Sequence, residues 1–263
     1  MQENLKKVCW VITNKCNQHC KFCFSFADEK DLSLNEHMKI LNNLLEFGVN
    51  KITWSGGESL LIPHLMKLLN YANSKGVLNK INTNGQLLTS EALIELRGIC
   101  GQINLSLNSL NPQSNKIMGK PQGNELLVLS RIPLVKMNGL RIAVNSVASG
   151  QNLNDFNELG DKLEEEGIDE WKIMKFTAMR HISKKNRDLF DIDYVRYQEL
   201  YQGLQQKYPS MNIRAVTQKE FECNNLLVSP NGQIAITKDA EDYVLGNPLE
   251  KEVDVNDIYF NKN

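Results

Sequence analysis

The chain has 263 residues, of which 41% are hydrophobic and 23% charged, and its formal net charge is -1. This length is enough to bury a normal core, and the near-zero charge argues against a chain built as a whole to bind nucleic acid or an anionic membrane surface. No apolar run approaches the about 20 residues of a membrane-spanning helix, and the N-terminus has no apolar signal segment. We therefore expect a cytoplasmic protein whose six cysteines are mostly thiols or metal ligands rather than disulfides.

Short apolar runs alternate with segments whose apolar residues recur at helical spacing, and this alternation predicts a parallel sheet or barrel. There are about six such units, fewer than the eight of a closed barrel, so we predict an α/β fold, a partial (β/α)6 TIM-like barrel. Ser90 is the predicted cap of the third helix, and Pro133 is expected to kink or interrupt the fourth. The predicted strands are 8–13, 51–55, 78–84, 102–109, 140–147 and 170–176, and the predicted helices are 35–48, 64–76, 90–99, 123–138 and 154–167.

The pattern changes after residue 176. The polar and basic segment 178–191 is predicted to be a loop, and residues 193–208 have the spacing of an amphipathic helix. Residues 225–237 contain two apolar runs joined by Ser-Pro-Asn-Gly, which predicts a hairpin. Without a repeat or linker, we expect one structural domain, with the barrel in 1–176 and a small C-terminal α+β cap and substrate region in 177–263.

Three cysteines follow the first predicted strand closely, in the stretch CNQHCKFCF. Thiolates bind soft metals, and a cubane iron–sulfur cluster normally takes four cysteines, one for each iron. Three protein ligands would leave one iron open to a substrate, at the end of the strand where α/β folds place their chemistry. The alternatives are coincidence and a zinc site completed by His19 or a distant cysteine, although zinc usually takes paired CxxC motifs. The candidate ligands are Cys16, Cys20 and Cys23, whereas Cys9, Cys100 and Cys223 are expected to be ordinary thiols.

This cysteine loop resembles that of radical S-adenosylmethionine (radical SAM) enzymes, in which CxxxCxxC follows the first strand. Further matching motifs come in the family's order: SGGES after the second strand, NTNG after the third, LSLNS after the fourth and VNSV in the fifth. The resemblance covers residues 8–176 and implies a [4Fe–4S] cluster on the three cysteines with S-adenosylmethionine (SAM) at the open iron. The SAM-binding residues that it implies are Phe22, Gly56, Gly57, Glu58, Asn84, Ser106, Asn108 and Asn145, with Asn108 standing where the family usually has Asp.

The same resemblance implies the chemistry. Such an enzyme cleaves SAM reductively to a 5′-deoxyadenosyl radical, which takes a hydrogen atom from a C–H bond of a small-molecule substrate. It needs an electron donor such as flavodoxin or ferredoxin, and neither a membrane nor a nucleic acid is an expected partner. Taken one at a time, the glycine pair, Asn84, Asn108 and Asn145 could instead serve tight turns and buried backbone. The sequence identifies no further residue that reacts with the substrate.

A closer resemblance is to the viperin-like nucleotide dehydratases. It rests on the CxFCF form of the loop, the run from Lys51 to Glu58, the G-x-x-QG run at 119–123 and the Trp-Lys pair at 171–172. Thr53 and Arg141 depart from those enzymes, which usually have Asn and Lys there. The resemblance implies a nucleoside triphosphate as substrate. The candidate substrate contacts are Lys51, Lys120, Lys172 and Arg180, the last from the basic segment 172–187.

Strand alternation gives Lys172 a separate argument. On the sixth strand, Lys172 and Met174 share one face, and Trp171 and Ile173 share the other. A lysine inside the barrel is costly without an anionic partner, so an inward Lys172 implies a ligand or a fixed acid. Two other interpretations stay open: a single-cluster radical SAM enzyme that modifies a peptide or small metabolite, and a degenerate barrel that binds SAM or zinc without turnover.

Overall fold

The structure is a computed structural model that describes residues 6–26, 31–216, 226–250 and 253. Cys223 and the last ten residues of the predicted cap lie outside these ranges. The strands are β1 (Lys7–Val11), β2 (Lys51–Ser55), β3 (Leu78–Thr83), β4 (Gln102–Ser106), β5 (Arg141–Ala148), β6 (Glu170–Lys175), β7 (Ile213–Val216), β8 (Leu226–Val228), β9 (Ile234–Lys238) and β10 (Glu241–Gly246). The helices are α1 (Leu34–Glu46), α2 (Leu65–Ser74), α3 (Ser90–Leu96), α4 (Pro112–Ile117), α5 (Asn124–Met137), α6 (Phe156–Glu166), α7 (His181–Lys185), α8 (Arg187–Phe190) and α9 (Tyr194–Lys207).

The ten strands form one sheet in the order β10-β9-β8-β1-β2-β3-β4-β5-β6-β7. Strands β1 to β7 pair in parallel along the chain, and helices connect them on the outside. Strand β8 pairs in parallel with the free edge of β1, and β9 and β10 continue antiparallel. Because β7 and β10 are the two edges of the described sheet and do not pair with each other, the sheet formed by the described residues is not closed, which confirms the predicted partial barrel.

The residues after 176, which we expected to form an α+β cap, supply helices and extend both edges of the sheet. The hairpin prediction is confirmed by the antiparallel pair of β8 and β9, whereas β7 and β10 were not predicted. The prediction of a loop over 178–191 was wrong, because α7 and α8 are too short to show a helical period. Helix α5 continues through Pro133, and the cap of α3 is Thr89 rather than Ser90, since the Thr89 hydroxyl accepts the Ala92 N–H.

The two faces of the parallel strands differ in polarity. Outward-facing side chains are apolar and pack against the helices: Trp10 stacks on Trp54 at 5.0 Å between ring centroids, and Trp171 on Phe156 at 5.7 Å. Inward-facing positions are mostly polar. The barrel interior has two ends. The loop end is the one at which strands β1 to β6 finish, and the inner end is the one at which these strands begin. No helix among the described residues is long and apolar enough to cross a membrane.

Candidate active site

The cysteine loop, residues 13–26, lies at the loop end and is fixed there by backbone contacts with the Gly-Gly-Glu segment after β2. The Gly57 N–H donates to the Thr13 carbonyl at 2.7 Å, and the Glu58 N–H to the Lys15 carbonyl at 2.8 Å. A Cβ on Gly56 would lie 2.8 Å from the Thr13 oxygen, and one on Gly57 would lie 2.3 Å from the Lys15 oxygen. The two glycines therefore let the chain approach the cysteine loop, whereas the sequence suggested an approach to a ligand.

A second support comes from the turn after α4. The Lys21 N–H donates to the Met118 carbonyl at 3.0 Å. Gly119 has φ +78°, and a Cβ there would meet the His19 oxygen at 2.5 Å. The buried Lys120 ammonium donates to Gln18 of the cysteine loop at 3.1 Å and lies 5.5 Å from the Phe22 ring centroid. Lys120, predicted to contact a triphosphate, thus lies against the cysteine loop.

The loop presents Cys16, Cys20 and Cys23 as free, half-buried thiols. Burial is the main cause that raises the pKa of Cys16 and Cys23. In the described ranges no three His, Cys, Asp or Glu side chains converge on a point that one metal ion could occupy. A cubane takes one thiolate per iron, so its ligands surround a body several atoms wide, and three thiols on one loop fit such a cluster. Burial raises the pKa of Cys9 to about 11 and of Cys100 to about 12, and neither lies on the cysteine loop.

Glu58 connects the glycine pair to the end of β3. Its fully buried carboxylate accepts the Thr83 hydroxyl at 2.8 Å, the Asn84 N–H at 2.7 Å and the Leu60 N–H at 3.2 Å. Burial raises the pKa of Glu58, and these hydrogen bonds oppose the rise. The Asn84 amide in turn donates to Asn17 of the cysteine loop at 2.7 Å. The predicted SAM residues Glu58 and Asn84 therefore lie beside the thiols, in one connected network.

The remaining predicted SAM residues lie at the ends of β4 and β5. Ser106 and Asn145 are directly paired across these strands. Asn108 accepts the Val147 N–H at 2.8 Å through its Oδ1. Within the described part of the chain, its Nδ2 is buried without a hydrogen-bond partner, and so is Oδ1 of Asn145. Because buried polar atoms are nearly always paired, these two atoms are able to bind a polar ligand.

The inner end of the barrel contains a ladder of polar side chains across β2 to β6. The Lys80 ammonium donates to Gln102 at 2.6 Å, and the Gln102 amide donates to Asn104 at 2.8 Å and to Glu170 at 3.2 Å. The Asn104 amide donates to Asn82 at 2.7 Å. Strands of a parallel sheet are usually apolar on both faces, so this polar inner face is unusual and is able to bind a polar ligand.

Positive charge exceeds negative charge at this inner end. The Lys172 ammonium lies 3.3 Å from the Glu170 carboxylate, and the more exposed Arg214 guanidinium lies 4.0 Å from it. Burial lowers the pKa of Lys80 to about 8, and the charges of Lys51 and Lys172 add to this effect.

Burial also lowers the pKa of Lys51 and of Lys172, although Glu170 opposes the shift of Lys172. Burial alone would raise the pKa of Glu170, but the charge of Lys172 and the hydrogen bond from Gln102 lower it. Glu170 is thus shared between at least two cations, Lys172 and Arg214.

Most cations of the basic segment are paired with acids instead of facing the interior. Lys175 and Arg187 pair with Asp191, and Lys184 pairs with Glu241. Arg180, predicted to contact the substrate, pairs with Asp242 of β10 at 2.8 Å. The structure thus unites only Lys51 and Lys172 of the four predicted substrate residues.

Sequence reasoning missed Lys80, Gln102, Glu170 and Arg214 at the inner end. The signal was available in part, because Lys80 and Asn82 occupy alternate positions of β3, as Gln102 and Asn104 do of β4. A strand with polar residues at every second position presents one polar face. Which of these faces meet, however, depends on strand register, which no local pattern specifies.

Three comparisons with known proteins agree with this geometry. A family model, the Radical SAM superfamily, matches residues 10–163. An S-adenosylmethionine-dependent nucleotide dehydratase of Flammeovirga pacifica is 30% identical over 177 residues, which are 63% of this chain and 60% of that relative. A protein of the same name from Selenomonas ruminantium is 26% identical over 262 residues, 94% of this chain and 91% of the relative.

Among solved structures, SuiB of Streptococcus suis bound to its precursor peptide SuiA superposes with a TM-score of 0.80 at 17% identity. The match covers 98% of this chain and 65% of SuiB, and at this identity it shows the fold alone. The family model, by contrast, spans more than half of the 263 residues and includes the cysteine loop, the Gly-Gly-Glu segment and strands β2 to β5. This chain therefore belongs to the radical SAM superfamily.

Proposed function

We propose that this protein is a radical SAM enzyme that removes water from a nucleoside triphosphate held inside the barrel. The observation that carries the proposal is the excess of buried positive charge at the inner end, where Lys51, Lys80 and Lys172 share the carboxylate of Glu170. Buried cations need anionic partners, and ammonium groups suit phosphates. The names of the two dehydratase relatives support a nucleotide as the substrate class.

The superfamily uses a [4Fe–4S] cluster and SAM. Cys16, Cys20 and Cys23 would hold the cluster, and the network of Glu58 and Asn84, with the orphaned atoms of Asn108 and Asn145, would hold SAM. When bound and reduced by a donor such as flavodoxin or ferredoxin, these cofactors supply a radical able to take hydrogen from a C–H bond.

The protein itself would position the nucleotide relative to the cofactors. The cysteine loop lies at one end of the interior and the lysines at the other, so a triphosphate bound at the inner end would point the rest of the nucleotide toward the loop end. Such an arrangement would orient one C–H bond toward the cofactors. The hydrogen atom would leave in 5′-deoxyadenosine, and a neighbouring hydroxyl would leave as water with one further electron from the donor and one proton from solvent. Lys172, which projects from the middle of β6, is the central phosphate contact of the proposal.

The test is anaerobic titration of the cluster-loaded enzyme with CTP, UTP, ATP and GTP in the presence of SAM, on the wild type and on Lys172→Met. Methionine keeps the length of the side chain and removes its charge. Loss of one charge-assisted contact of about 1.5–3 kcal/mol should weaken binding about ten- to hundredfold. Lys162→Met is the matched control, because Lys162 pairs with Glu165 and Glu166 on the outside of α6.

Turnover supplies the second measurement. The nucleotide that binds should yield a product lighter by one water, together with 5′-deoxyadenosine above the level formed without nucleotide. If no nucleoside triphosphate binds the wild type, the nucleotide proposal is wrong, and a peptide or small metabolite becomes the substrate class to test. If one binds Lys172→Met as tightly as the wild type, the phosphate site has been misplaced.

A further inference from the structure

Arg180 lies in the segment between β6 and α7 and has contacts in three parts of the chain. Its Nε and Nη2 donate to the two carboxylate oxygens of Asp242 at 2.8 and 2.9 Å. Its Nη1 donates to the Phe24 carbonyl at 2.8 Å, and its guanidinium lies 4.1 Å from the centroid of the Phe26 ring. Only 9% of this side chain is exposed. Each of the three guanidinium nitrogens therefore has a partner within the protein.

We propose that Arg180 is a positioning residue that holds the Cys23 side of the cysteine loop in place. Strands β7 and β10 are the unpaired edges of the open barrel, and Arg180 spans from the segment after β6 to β10 on the opposite side. On the way it binds the carbonyl of Phe24, which immediately follows Cys23. The bond fixes the backbone next to this thiol relative to both sides of the open barrel.

A second contact from the same segment supports the proposal. The Asn186 amide at the end of α7 donates to the Lys21 carbonyl at 2.9 Å. The carbonyls of Lys21 and Phe24 lie on either side of Cys23, so the segment holds the loop at two points around this one cysteine. Cys16, by contrast, lies on the part of the loop that the Gly-Gly-Glu segment supports.

The partners of Arg180 are themselves held. The Thr237 hydroxyl donates to Asp242 at 2.8 Å, and the Ser183 hydroxyl accepts the Arg180 N–H at 3.2 Å. A bidentate pair of planar groups tolerates little change in angle, which suits a residue that transmits position. Asp242 supplies the negative charge that a phosphate would have supplied. We therefore assign Arg180 this positioning role in place of the predicted contact with the substrate.

The variants that test the proposal are Arg180→Gln, Arg180→Lys and Asp242→Asn, with Lys184→Gln as the matched control. Lys184 joins the same two elements, since its ammonium lies 2.7 Å from Glu241 of β10, but it is half exposed and its ion pair is with β10 alone. A general loosening of α7 from β10 would therefore appear in Lys184→Gln as well, whereas an effect transmitted through Phe24 would not.

Each variant is reconstituted with iron and sulfide, and its cluster is followed by electron paramagnetic resonance and by the rate of iron loss to a chelator. Arg180→Gln should lose iron about tenfold faster than the wild type and show an altered spectrum on addition of SAM, because one hydrogen bond to the loop and one ion pair are missing. The iron-loss rates of Arg180→Lys and Asp242→Asn should lie between those of the wild type and Arg180→Gln. The rate of Lys184→Gln should match that of the wild type.

Thermal unfolding of the cluster-free proteins separates an effect on the position of the cysteine loop from a general loss of protein stability. A loss of stability shared by Arg180→Gln and Lys184→Gln, with equal rates of iron loss, would overturn the proposal. So would a wild-type spectrum and iron-loss rate in a folded Arg180→Gln. If Arg180→Gln does not fold, Arg180→Lys and Asp242→Asn decide by the same two measurements. None of these readouts needs a nucleotide, so the result is independent of the substrate proposed above.

Discussion

The two ends of the barrel interior are built in different ways. At the loop end, backbone fixes backbone: the Gly57 N–H reaches the Thr13 carbonyl at 2.7 Å, and the loop and its supports approach too closely for a Cβ at Gly57 or Gly119. At the inner end, side chains contact side chains, as where the Lys80 ammonium meets Gln102 at 2.6 Å. The backbone at the loop end is therefore closely packed, whereas the inner end is formed by flexible side chains.

The difference suits two kinds of ligand. A cluster held by three thiols needs them at fixed separations, which backbone contacts on several sides provide. A phosphate chain must replace the contacts that cations already make, and Lys80 and Lys172 can exchange Gln102 and Glu170 for phosphate oxygens by rotating long side chains. We therefore expect substitutions at the loop end to act on the cofactors and on stability, and substitutions at the inner end to act on substrate affinity and its pH dependence.

The largest effect is expected from removing a thiol at the loop end. Cys20→Ala should abolish the visible absorbance of the reconstituted cluster and the cleavage of SAM, because one iron loses its protein ligand. Cys100→Ala is the control, since this thiol lies in the hydrophobic core just before β4 in the chain and burial raises its pKa to about 12. Iron and sulfide analysis after anaerobic reconstitution measures both. Equal loss of cluster in the two variants would contradict the assignment.

The next largest effect tests the close approach between the Gly-Gly-Glu backbone and the cysteine loop, and it needs no cofactor. In Gly57→Ala the new Cβ would lie 2.3 Å from the Lys15 oxygen and 2.6 Å from the Asn14 oxygen, and backbone cannot move aside as a side chain can. We expect a loss of about 3 kcal/mol in the free energy of unfolding, at the upper end of overpacking costs. Urea unfolding of the cluster-free protein measures it.

Gly203→Ala is the matched control for that substitution. Gly203 lies in α9, and a Cβ there has no neighbour within 4 Å. Alanine should stabilise the helix by about 0.5–1 kcal/mol. If both variants unfold at the same urea concentration, the loop end is not held in the way the contacts indicate.

Much of the loop end could be predicted from the sequence because its elements are local. Three cysteines with fixed spacing follow one strand, and a Gly-Gly-Glu segment follows the next. Parallel pairing of these two consecutive strands brings both segments to the same end of the sheet. The strand alternation that puts Lys172 and Trp171 on opposite faces of β6 is local as well, and Trp171 is fully buried against the helices.

The contacts that could not be predicted depend on distant parts of the chain. Lys80 meets Gln102 because β3 and β4 pair in one register, and a shift by one residue would have turned Gln102 outward. Arg180 pairs with Asp242, which lies 62 residues away on a strand that was not predicted. Lys120 faces the cysteine loop because of the course of the turn after α4.

A smaller effect is expected from Glu58→Gln. Each carboxylate oxygen accepts one backbone N–H, from Leu60 or from Asn84, so an amide NH2 group must face a donor whichever way it turns. We expect SAM to bind about ten- to hundredfold more weakly, since a charge-assisted hydrogen bond is worth about 1.5–3 kcal/mol, while iron content stays the same. Calorimetry on the cluster-loaded protein measures this, with the exposed Glu91→Gln as control. Unchanged SAM affinity would remove Glu58 from the SAM site.

The smallest effect concerns the inner end and its pH dependence. Burial and the neighbouring Lys51 and Lys172 charges lower the pKa of Lys80 to about 8 in the free protein. Below that pH the ammonium is charged and can bind a phosphate, and above it the amine is neutral. A bound anion favours the charged form, so binding takes up a proton and nucleotide affinity should fall as pH rises from 7 to 9, by up to about tenfold.

Lys80→Arg separates this group from the rest of the site. A guanidinium stays charged throughout this range, so the variant should bind with an affinity that changes little between pH 7 and 9 and should take up no proton through this side chain. Calorimetric titration with the nucleotide in two buffers of different ionisation enthalpy measures the proton uptake directly. The phosphates of the ligand are fully ionised over most of this range and contribute little. A fall in affinity that persists unchanged in Lys80→Arg would show that another group titrates, and that Lys80 does not contact the phosphates.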